Sequence, residues 1–301
     1  MDLDVPPRVG IVGGGQLARM SAAPAAALGI GLRVLAADAS DPAAQVIHDV
    51  ALGRHDDLDA LRRFAAGCAV VTFDHEHVPP AHLEELESMG VAVRPGPAAL
   101  FHAQDKIHMR QALTDAGIPC PRWRVVTAVP DVVEFAAEAD WPVVLKTSRG
   151  GYDGRGVWVV ESAAQAAEVL ASPLAGGAQW LAEEHIDFVQ ELSAQVARSP
   201  HGQAVAYPVV RTLQAGGICS EVVAPAPGLS VTRAVAAQEI ALRIARDLNV
   251  TGMLAVEMFD DGYSLYVNEL AMRPHNSGHW TIEGATTSEQ IPPACSVRTT
   301  G

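Results

Sequence analysis

A glycine-rich loop that follows a lysine is the stretch of this sequence whose residue types most clearly suggest chemistry. Residues 150–156 read Gly-Gly-Tyr-Asp-Gly-Arg-Gly, and apolar runs at 142–145 and 157–160 predict a strand on either side. Glycines let the backbone approach a ligand closely, and successive N–H groups in such a loop can form an anion site. With the cations Lys146 and Arg155, the pattern predicts a lid over phosphate groups. An ordinary glycine hairpin is the alternative, although a plain turn requires neither cation.

Two acidic residues, Glu257 and Glu269, lie on the two arms of a predicted hairpin. The arms are residues 253–259 and 264–270, and the turn between them is Asp-Asp-Gly. Neighbouring arms can bring both carboxylates to one hard cation, which prefers oxygen ligands, and Asn268 adds a neutral oxygen. Two solvated carboxylates are the alternative, but Glu257 stands in an apolar run, where an unpaired carboxylate is costly to bury. The hairpin therefore predicts a site for one hard cation, of the kind to which Mg²⁺ and Mn²⁺ belong.

A polar, cationic segment follows this hairpin. It reads Met-Arg-Pro-His-Asn-Ser-Gly-His-Trp-Thr over residues 272–281. The planar guanidinium of Arg273 can bind a carboxylate or bicarbonate through two hydrogen bonds, and His275 and Asn276 can donate to the same anion. On this pattern alone, an anion site and a structural loop are both open.

The N-terminal residues predict a βαβ unit with a glycine turn. Gly-Gly-Gly at 13–15 stands between a predicted strand at 9–12 and a predicted helix at 16–28, and a second strand at 32–36 ends before Asp38. A glycine turn at a helix N-terminus is an anion site, and its spacing to Asp38 fits a dinucleotide fingerprint. The fingerprint is weak evidence, because many βαβ folds that bind no nicotinamide share it.

Asp-His-Glu-His at 74–77 follows another predicted strand, residues 68–73. Ligands bind at the carboxyl ends of strands in open α/β sheets. The two histidines suggest zinc, but no third and fourth ligands have suitable spacing. We therefore expect a solvated loop in which Glu76 faces a ligand.

The elements that position these residues predict two kinds of folding unit. Strands and helices alternate through the first hundred residues, which predicts a doubly wound, Rossmann-like α/β unit. The later part combines helices with antiparallel strands, since residues 188–197 alternate apolar and polar side chains. Further strands are predicted at 180–183, 205–210 and 218–223, and helices at 81–89, 106–116, 131–139 and 232–248. The expected fold class is therefore α/β followed by α+β.

Composition excludes several classes of protein. The chain has 301 residues, of which 49% are hydrophobic, enough for two domains with cores. A net charge of −14 argues against nucleic-acid binding. The four cysteines form no CxxC pair, which indicates reduced thiols and no structural zinc. The N-terminus is not a signal peptide and no apolar run could span a membrane, so we expect a cytoplasmic protein with no membrane partner.

Together these motifs resemble those of the ATP-grasp ligases, and in particular those of the 5-(carboxyamino)imidazole ribonucleotide synthase family of purine biosynthesis. The resemblance rests on Gly-Gly-Gly-Gln-Leu-Ala-Arg-Met at 13–20, on the glycine loop and on Asn-Glu-Leu at 268–270. Above all it rests on residues 273–281, which are highly specific to this family. The motifs occur in the family's order from residue 9 to about residue 288.

The resemblance implies a fold, a reaction and its cofactors. It implies a pre-ATP-grasp domain over residues 1–104 and an ATP-grasp domain over residues 105–288, in a homodimer. ATP with Mg²⁺ would phosphorylate bicarbonate to carboxyphosphate, which would carboxylate the exocyclic amine of 5-aminoimidazole ribonucleotide and release phosphate. Such chemistry needs positioned cations and a lid that excludes water, because carboxyphosphate hydrolyses readily.

The resemblance also assigns roles to residues of this chain by matching position. Those expected to bind ATP are Lys106, Lys146, Gly151, Tyr152, Asp153, Gly154, Arg155, Gly156, Val157, Glu183, Glu184, His185, Ile186, Glu191, Gln214, Asn268 and Glu269. Those expected to bind the ribonucleotide are Gly15, Gln16, Leu17, Glu76, Tyr152 and Arg155. Glu257 and Glu269 would hold Mg²⁺. The catalytic Arg273, His275 and Asn276 would bind bicarbonate and carboxyphosphate.

The sequence departs from the family's pattern in four places. Gln214 stands where many relatives carry a histidine, Lys106 stands where others have arginine, and Met272 replaces a proline. The largest departure follows Ser288, where the family continues into a third, small β-rich domain. Residues 289–301 form an atypical tail instead, so we expect that domain to be missing.

Three other functions remain open at this point. The first is an ATP-binding remnant whose catalysis is impaired, which the short C-terminus suggests. The second is another ATP-grasp carboxylate–amine ligase with a different substrate. The third is an NAD-linked oxidoreductase, which the glycine turn and Asp38 suggest. This last hypothesis leaves the lid loop and the pair Glu257 and Glu269 unexplained.

Overall fold

In a computed structural model, which describes residues 7–151, 155–174 and 176–291, the first folding unit is a five-stranded parallel sheet. Its elements are β1 (Arg8–Val12), α1 (Gln16–Met20), α2 (Ala22–Ala27), β2 (Gly31–Ala36), β3 (Asp49–Leu52), α3 (Leu58–Ala65), β4 (Val70–Phe73), α4 (Pro80–Ser88), β5 (Ala92–Val93) and α5 (Pro97–Gln104). The strand order is β3-β2-β1-β4-β5. This order confirms the doubly wound unit that the sequence predicts.

Strand β1 shows why this sheet is covered on both faces. Val9 and Ile11 belong to one buried apolar cluster, which includes Ala18 of α1. Val12, on the opposite face, belongs to a second cluster that includes Phe64 of α3. Because successive side chains of a strand point to opposite faces, a nearly continuous apolar run such as β1 must be buried on both.

Several elements of this unit differ from the sequence prediction. The helix expected at 16–28 is two short helices that meet at Ser21, whose hydroxyl donates to the carbonyl of Leu17. Pro24 lacks the N–H that a continuous helix would use. Strand β3 and helices α3 and α5 were not predicted. Strand β3 is a short edge strand and α5 begins at Pro97 with no side-chain cap, whereas α3 does carry a signal, the N-cap Asp57.

The second unit carries the glycine loop. Its elements are α6 (Lys106–Asp115), β6 (Trp123–Val126), α7 (Val129–Ala139), β7 (Val143–Thr147), β8 (Val157–Val160), α8 (Ala163–Leu170) and β9 (Trp180–Glu184). The strands form an antiparallel sheet in the order β6-β9-β7-β8. Phe135, Leu145 and Trp180 are buried in a small core of their own. The glycine loop therefore connects two hydrogen-bonded neighbours, β7 and β8, as predicted.

The third unit is a larger antiparallel sheet covered by one long helix. Its elements are β10 (Gln190–Arg198), β11 (Ala204–Ala206), β12 (Val210–Ala215), β13 (Ile218–Val223), α9 (Val231–Asp247), β14 (Gly252–Asp260), β15 (Leu265–Ala271) and α10 (Thr281–Gly284). The strand order is β13-β12-β10-β14-β15, with β11 paired to β10. The single strand predicted at 205–210 is thus wrong, since β11 and β12 are separate there.

One apolar cluster joins the third unit to the first. Ile244 of α9, Leu192 of β10 and Val256 of β14 belong to the same buried cluster as Phe64 and Leu100 of the first unit. Because this core is continuous, it fixes the position of the parallel sheet relative to the β14–β15 hairpin. Among the described residues, no helix combines the length and the apolar character needed to cross a membrane.

The tail predicted to begin at residue 289 is not separate from the body of the protein at its start. Glu289 and Gln290 are only 1% and 2% exposed. The carboxylate of Glu289 accepts from the backbone N–H of His275, and the side-chain oxygen of Gln290 lies 3.3 Å from the hydroxyl oxygen of Ser21. We therefore propose that the second domain runs from residue 105 to at least residue 290.

We predict that the packing between β1 and α3 makes Gly10 intolerant of a side chain. A Cβ atom there would lie 2.8 Å from Cζ of Phe64 and 3.0 Å from Sγ of Cys68. Gly10→Ala should therefore lower the free energy of unfolding by about 1–3 kcal/mol, as overpacking does. Urea denaturation measures this.

The matched control is Gly31→Ala in β2, where the nearest atom to a Cβ is the Pro7 carbonyl oxygen at 3.9 Å. It should change the stability by less than about 0.5 kcal/mol. Equal losses in the two variants would show that strand propensity, rather than the contact with Phe64, decides the effect.

Candidate active site

A cavity of about 930 Å³ lies where the three sheets meet. It collects most of the residues that the sequence analysis singled out, although they come from distant parts of the chain. The predicted site residues in its wall are Glu76, Lys106, Lys146, Gly151, Val157, Glu183, Glu184, His185, Ile186, Glu191, Gln214, Glu257, Asn268, Glu269, Arg273, His275 and Asn276. A polar, charged cavity of this size suits a nucleotide and a second small ligand.

The remaining predicted residues lie elsewhere. Gly15, Gln16, Leu17, Arg155 and Gly156 are not in the wall of the cavity. Gln16 and Arg155 are exposed at the surface. The carbonyl of Gly156 accepts from the N–H of Thr147 at 3.0 Å, which closes the base of the glycine loop. Tyr152, Asp153 and Gly154 lie outside the described residues.

Lysines of two elements reach into the cavity. Lys106, at the start of α6, places its Nζ 2.8 Å from Oε1 of Glu269. Lys146, at the end of β7, places its Nζ 2.8 Å from Oε2 of Glu183 and 3.0 Å from Oδ1 of Asn268. The two cations are therefore held on one side of the cavity by groups on β9 and β15.

Glu183 has a role that the sequence did not suggest. Its carboxylate is buried and binds both Lys146 and Arg110, whose Nε lies 2.7 Å away. Burial would raise the pKa of Glu183, but these two cations outweigh it and lower the pKa. Burial lowers the pKa of Lys146, and Glu183 offsets part of that effect. An adenine ring could therefore meet the backbone of Glu183, but its carboxylate is already bonded to two cations.

The paired carboxylates of the predicted hairpin do face each other. Glu257 of β14 and Glu269 of β15 are direct partners in the register of the two strands. Burial, together with the charges of Glu269 and Glu191, raises the pKa of Glu257 to about 8. A divalent cation would relieve this repulsion, so the two residues fit the predicted Mg²⁺ site. Its other ligands would be phosphate oxygens and water.

Zinc finds no support at the histidines of the 74–77 segment. Within the part of the chain that the structure describes, no three side chains of His, Cys, Asp or Glu are placed to hold a metal ion. His75 and His77 instead stack, with ring centroids 5.1 Å apart. Burial and the neighbouring His77 lower the pKa of His75 to about 3.

Arg273 and Glu76, which the sequence assigns to different ligands, are paired with each other. Nε of Arg273 lies 2.6 Å from Oε2 of Glu76, and the other oxygen of Glu76 accepts from the N–H of Met272. Burial would lower the pKa of Arg273, but Glu76 outweighs it and the pKa rises. This pair connects the first domain to the segment that follows β15.

His275 is a neutral imidazole in the segment that follows β15, between Ser277 and Glu257. Burial, together with the charge of Arg273, lowers its pKa to about 3. Its Nδ1 lies 2.9 Å from the hydroxyl oxygen of Ser277, which in turn contacts Ser193. Its Nε2 lies 3.7 Å from Oε1 of Glu257. The ring can therefore offer one hydrogen bond to a bound anion without carrying charge itself.

The glycine turn of the first domain is occupied by a carboxylate of the protein. Asp74 accepts from the N–H groups of Gly15 at 3.0 Å and Ala18 at 2.7 Å. A pyrophosphate at this helix N-terminus would meet both the charge and the bulk of Asp74. Asp38 is bonded to Ser40. These contacts contradict the dinucleotide hypothesis, and sequence spacing gave no signal for Asp74.

The raised pKa of Glu257 predicts how stability depends on pH. The folded protein keeps this proton up to a pH of about 8, whereas the unfolded chain releases it near the ordinary value of 4.5. The stabilisation is therefore complete below pH 4.5 and is lost as the pH rises to about 8. Glu257→Gln cannot titrate, so in metal-free buffer its stability relative to the unsubstituted protein should rise across this window.

Urea denaturation at half-unit steps of pH, with a chelator present, measures the difference. Glu239→Gln, at an exposed position of α9, controls for the loss of one negative charge. A difference that stays flat between pH 4.5 and 8 would show that the carboxyl of Glu257 is ionised throughout.

Two family models match the chain and together cover nearly all of the described residues. The ribonucleotide synthetase preATP-grasp domain matches residues 7–104, and the ATP-grasp domain matches residues 111–290. The first match ends with α5, and the second begins within α6.

Proteins named N5-carboxyaminoimidazole ribonucleotide synthase are similar along most of the chain. The protein of Mycobacterium tuberculosis is 55% identical over 287 residues, which cover 95% of this chain and 67% of the relative. The protein of Corynebacterium ammoniagenes is 42% identical, over 94% of this chain and 70% of the relative. The chain thus spans about two thirds of the length of these relatives.

Solved structures agree with this result. An ADP complex of N5-carboxyaminoimidazole ribonucleotide synthetase has a TM-score of 0.87 at 34% identity, and covers 96% of this chain and 77% of its own. The Aspergillus clavatus synthase in complex with ADP and 5-aminoimidazole ribonucleotide has a TM-score of 0.86 at 32% identity, with coverages of 95% and 75%. The chain therefore belongs to the N5-carboxyaminoimidazole ribonucleotide synthase family of ATP-grasp ligases.

Proposed function

We propose that this protein uses ATP and bicarbonate to carboxylate the exocyclic amine of 5-aminoimidazole ribonucleotide, a step of purine biosynthesis. The observation that carries this proposal is the set of residues that line one cavity. Phosphate-binding lysines, a carboxylate pair for Mg²⁺ and the segment from Arg273 to Asn276 all lie in its wall. The names of the relatives and the bound ADP and ribonucleotide in their structures support the same reaction.

The nucleotide is held mainly by the second unit. Lys146 and Lys106 bind its phosphates, and the glycine loop, residues 150–156, covers them as a lid. The backbone from Glu183 to Ile186 meets the adenine edge, Glu191 meets the ribose, and Gln214 and Asn268 add hydrogen bonds. In the present arrangement Nζ of Lys106 lies 2.8 Å from Oε1 of Glu269, and an incoming phosphate takes Lys106 away from that carboxylate. That exchange frees Glu269 for the cation.

Glu257 and Glu269 are the residues that hold Mg²⁺. When bound, the cation neutralises charge on the transferring phosphoryl oxygens. The protein's own part is to fix the two carboxylates in register on β14 and β15.

Bicarbonate is bound by Arg273, His275 and Asn276. An oxygen of bicarbonate attacks the γ-phosphorus of ATP, ADP leaves, and carboxyphosphate forms. The amine of the ribonucleotide then attacks the carboxyl carbon, phosphate leaves, and the amine loses a proton. Arg273 is well placed to stabilise both anions because its guanidinium keeps its charge at all physiological pH values. Water must be excluded meanwhile, which is the work of the lid.

The ribonucleotide lies toward the first domain. Glu76, paired with Arg273, is the residue that joins its site to that of bicarbonate. Gly15, Gln16 and Leu17, around the start of α1, and Arg155 of the lid are the other described residues that we assign to it. From the family resemblance we also propose that the protein is cytoplasmic and that it forms a homodimer.

Two substitutions test the division between the nucleotide and bicarbonate sites. Arg273→Lys should lower turnover about tenfold to a hundredfold, because a point charge cannot replace a planar fork that makes charged hydrogen bonds. It should leave the dissociation constant of Mg-ATP within about twofold. Glu269→Gln should instead weaken Mg-ATP binding about tenfold, with little effect on ATP in a chelator, since a full charge facing the cation is lost.

Calorimetry with and without Mg²⁺, together with steady-state kinetics, measures both effects. Glu239→Gln serves as the control for net charge. Collapse of ATP affinity in Arg273→Lys would place that residue in the nucleotide site. Normal nucleotide binding without any turnover in the unsubstituted protein would favour the alternative of a catalytically impaired ATP-binding protein.

A further inference from the structure

Arg110 is a fully buried arginine beneath the floor of the cavity. Its exposed fraction is 0%, and it lies on α6 one turn after Lys106. Its Nε donates to Oε1 of Glu183 at 2.7 Å. Its two terminal nitrogens donate to the backbone carbonyls of Val267 at 3.2 Å and Asn268 at 2.8 Å. One guanidinium therefore joins α6 to β9 and β15.

The bonds of Arg110 form part of a closed circuit. Glu183 uses its second oxygen to bind Nζ of Lys146, and the same Nζ donates to the side chain of Asn268. The backbone of Asn268 is held in turn by Arg110. Every member of the circuit except Arg110 lies in the wall of the cavity. Arg110 is thus the one of these four residues that holds the others without facing the cavity itself.

The circuit carries one more positive charge than negative charge. Two cations, Arg110 and Lys146, share one carboxylate, Glu183. Without Arg110, Lys146 and Glu183 would form a closed neutral pair. With it, the carboxylate is shared and one positive charge remains at the nitrogen of Lys146, which faces the cavity.

Helix α6 presents two cations to one strand. Lys106 and Arg110 are four residues apart and share a face of the helix. Lys106 binds the side chain of Glu269, while Arg110 binds the backbone of the preceding residue, Asn268. The helix therefore fixes both the position of strand β15 and the direction in which its side chains enter the cavity.

We propose that Arg110 is a positioning residue for ATP, which acts through Glu183 and the backbone of Asn268 to aim Lys146 and the Asn268–Glu269 pair at the triphosphate and its cation. This inference rests on the proposed function. An arginine suits the position because only its planar fork, with five N–H donors, reaches a carboxylate and two carbonyls at once. A lysine could keep the charge but could not serve all three acceptors.

The test compares Arg110→Met and Arg110→Lys. Arg110→Met should raise the dissociation constant of Mg-ATP and the KM for ATP about tenfold or more, because Lys146 is then neutralised by Glu183. The KM for bicarbonate should stay within about twofold. Arg110→Lys should recover only part of the lost ATP affinity, since the charge beside Glu183 is restored but the bonds to the carbonyls of Val267 and Asn268 are not.

Arg233 provides the matched structural control. It also binds one carboxylate, Asp260, and two backbone carbonyls, those of Tyr263 and Ser264, but at the far end of the same hairpin. Arg233→Met should lower the melting temperature while leaving the dissociation constant of Mg-ATP within about twofold.

The outcomes separate this inference from the function on which it rests. If the unsubstituted protein does not bind Mg-ATP, the proposed function fails. If the unsubstituted protein binds Mg-ATP and both Arg110 variants bind it as tightly as the unsubstituted protein does, the positioning role is wrong. The positioning role is also wrong if Arg233→Met weakens the binding of Mg-ATP as much as Arg110→Met does. Failure of both Arg110 variants to melt cooperatively would also overturn it, because Arg110 would then serve the fold alone.

Discussion

Charged side chains at the meeting point of three sheets are paired, and this pairing organises the candidate active site. Lys106 pairs with Glu269, Lys146 with Glu183, and Arg273 with Glu76. Each pair joins a different two elements of the fold, and an unpaired charge would be most costly at Lys146 and Glu183, which are buried. The pairs therefore hold the walls of the cavity together, and they place cations and carboxylates where phosphates, a divalent cation and bicarbonate can exchange with them.

The sequence predicted those parts of the site that depend on local pattern. The glycine loop between β7 and β8 follows from apolar runs and turn residues that can be read directly. The hairpin that carries Glu257 and Glu269 follows in the same way, but the register that opposes the two carboxylates depends on a shift between Glu257 and Met258, which this pattern does not predict. The doubly wound first domain followed from alternating strands and helices, although β3, α3 and α5 were not predicted. Ser21 and Pro24 divide a helix that periodicity alone joins.

Contacts between distant residues could not be read in the same way. Asp74 fills the glycine turn, and Arg110 lies under Glu183, through side chains that are 56 and 73 residues from their partners. Glu183 was expected at the adenine edge, since sequence position does not reveal that a carboxylate points inward. Burial of Glu289 was missed for the same reason, because the segment carries no apolar periodicity. The signal that could have found Arg110 is its spacing of four residues from Lys106 on one helix.

The transfer of oxygen from bicarbonate to phosphate tests the central claim most directly. With ¹⁸O-labelled bicarbonate, ATP, Mg²⁺ and 5-aminoimidazole ribonucleotide, the reaction through carboxyphosphate predicts inorganic phosphate that contains one labelled oxygen, formed in step with ADP. Mass spectrometry of the phosphate reads this out. Unlabelled phosphate released at the same rate would mean that water, not bicarbonate, attacks ATP. That result would contradict the claim that Arg273, His275 and Asn276 bind bicarbonate for this attack.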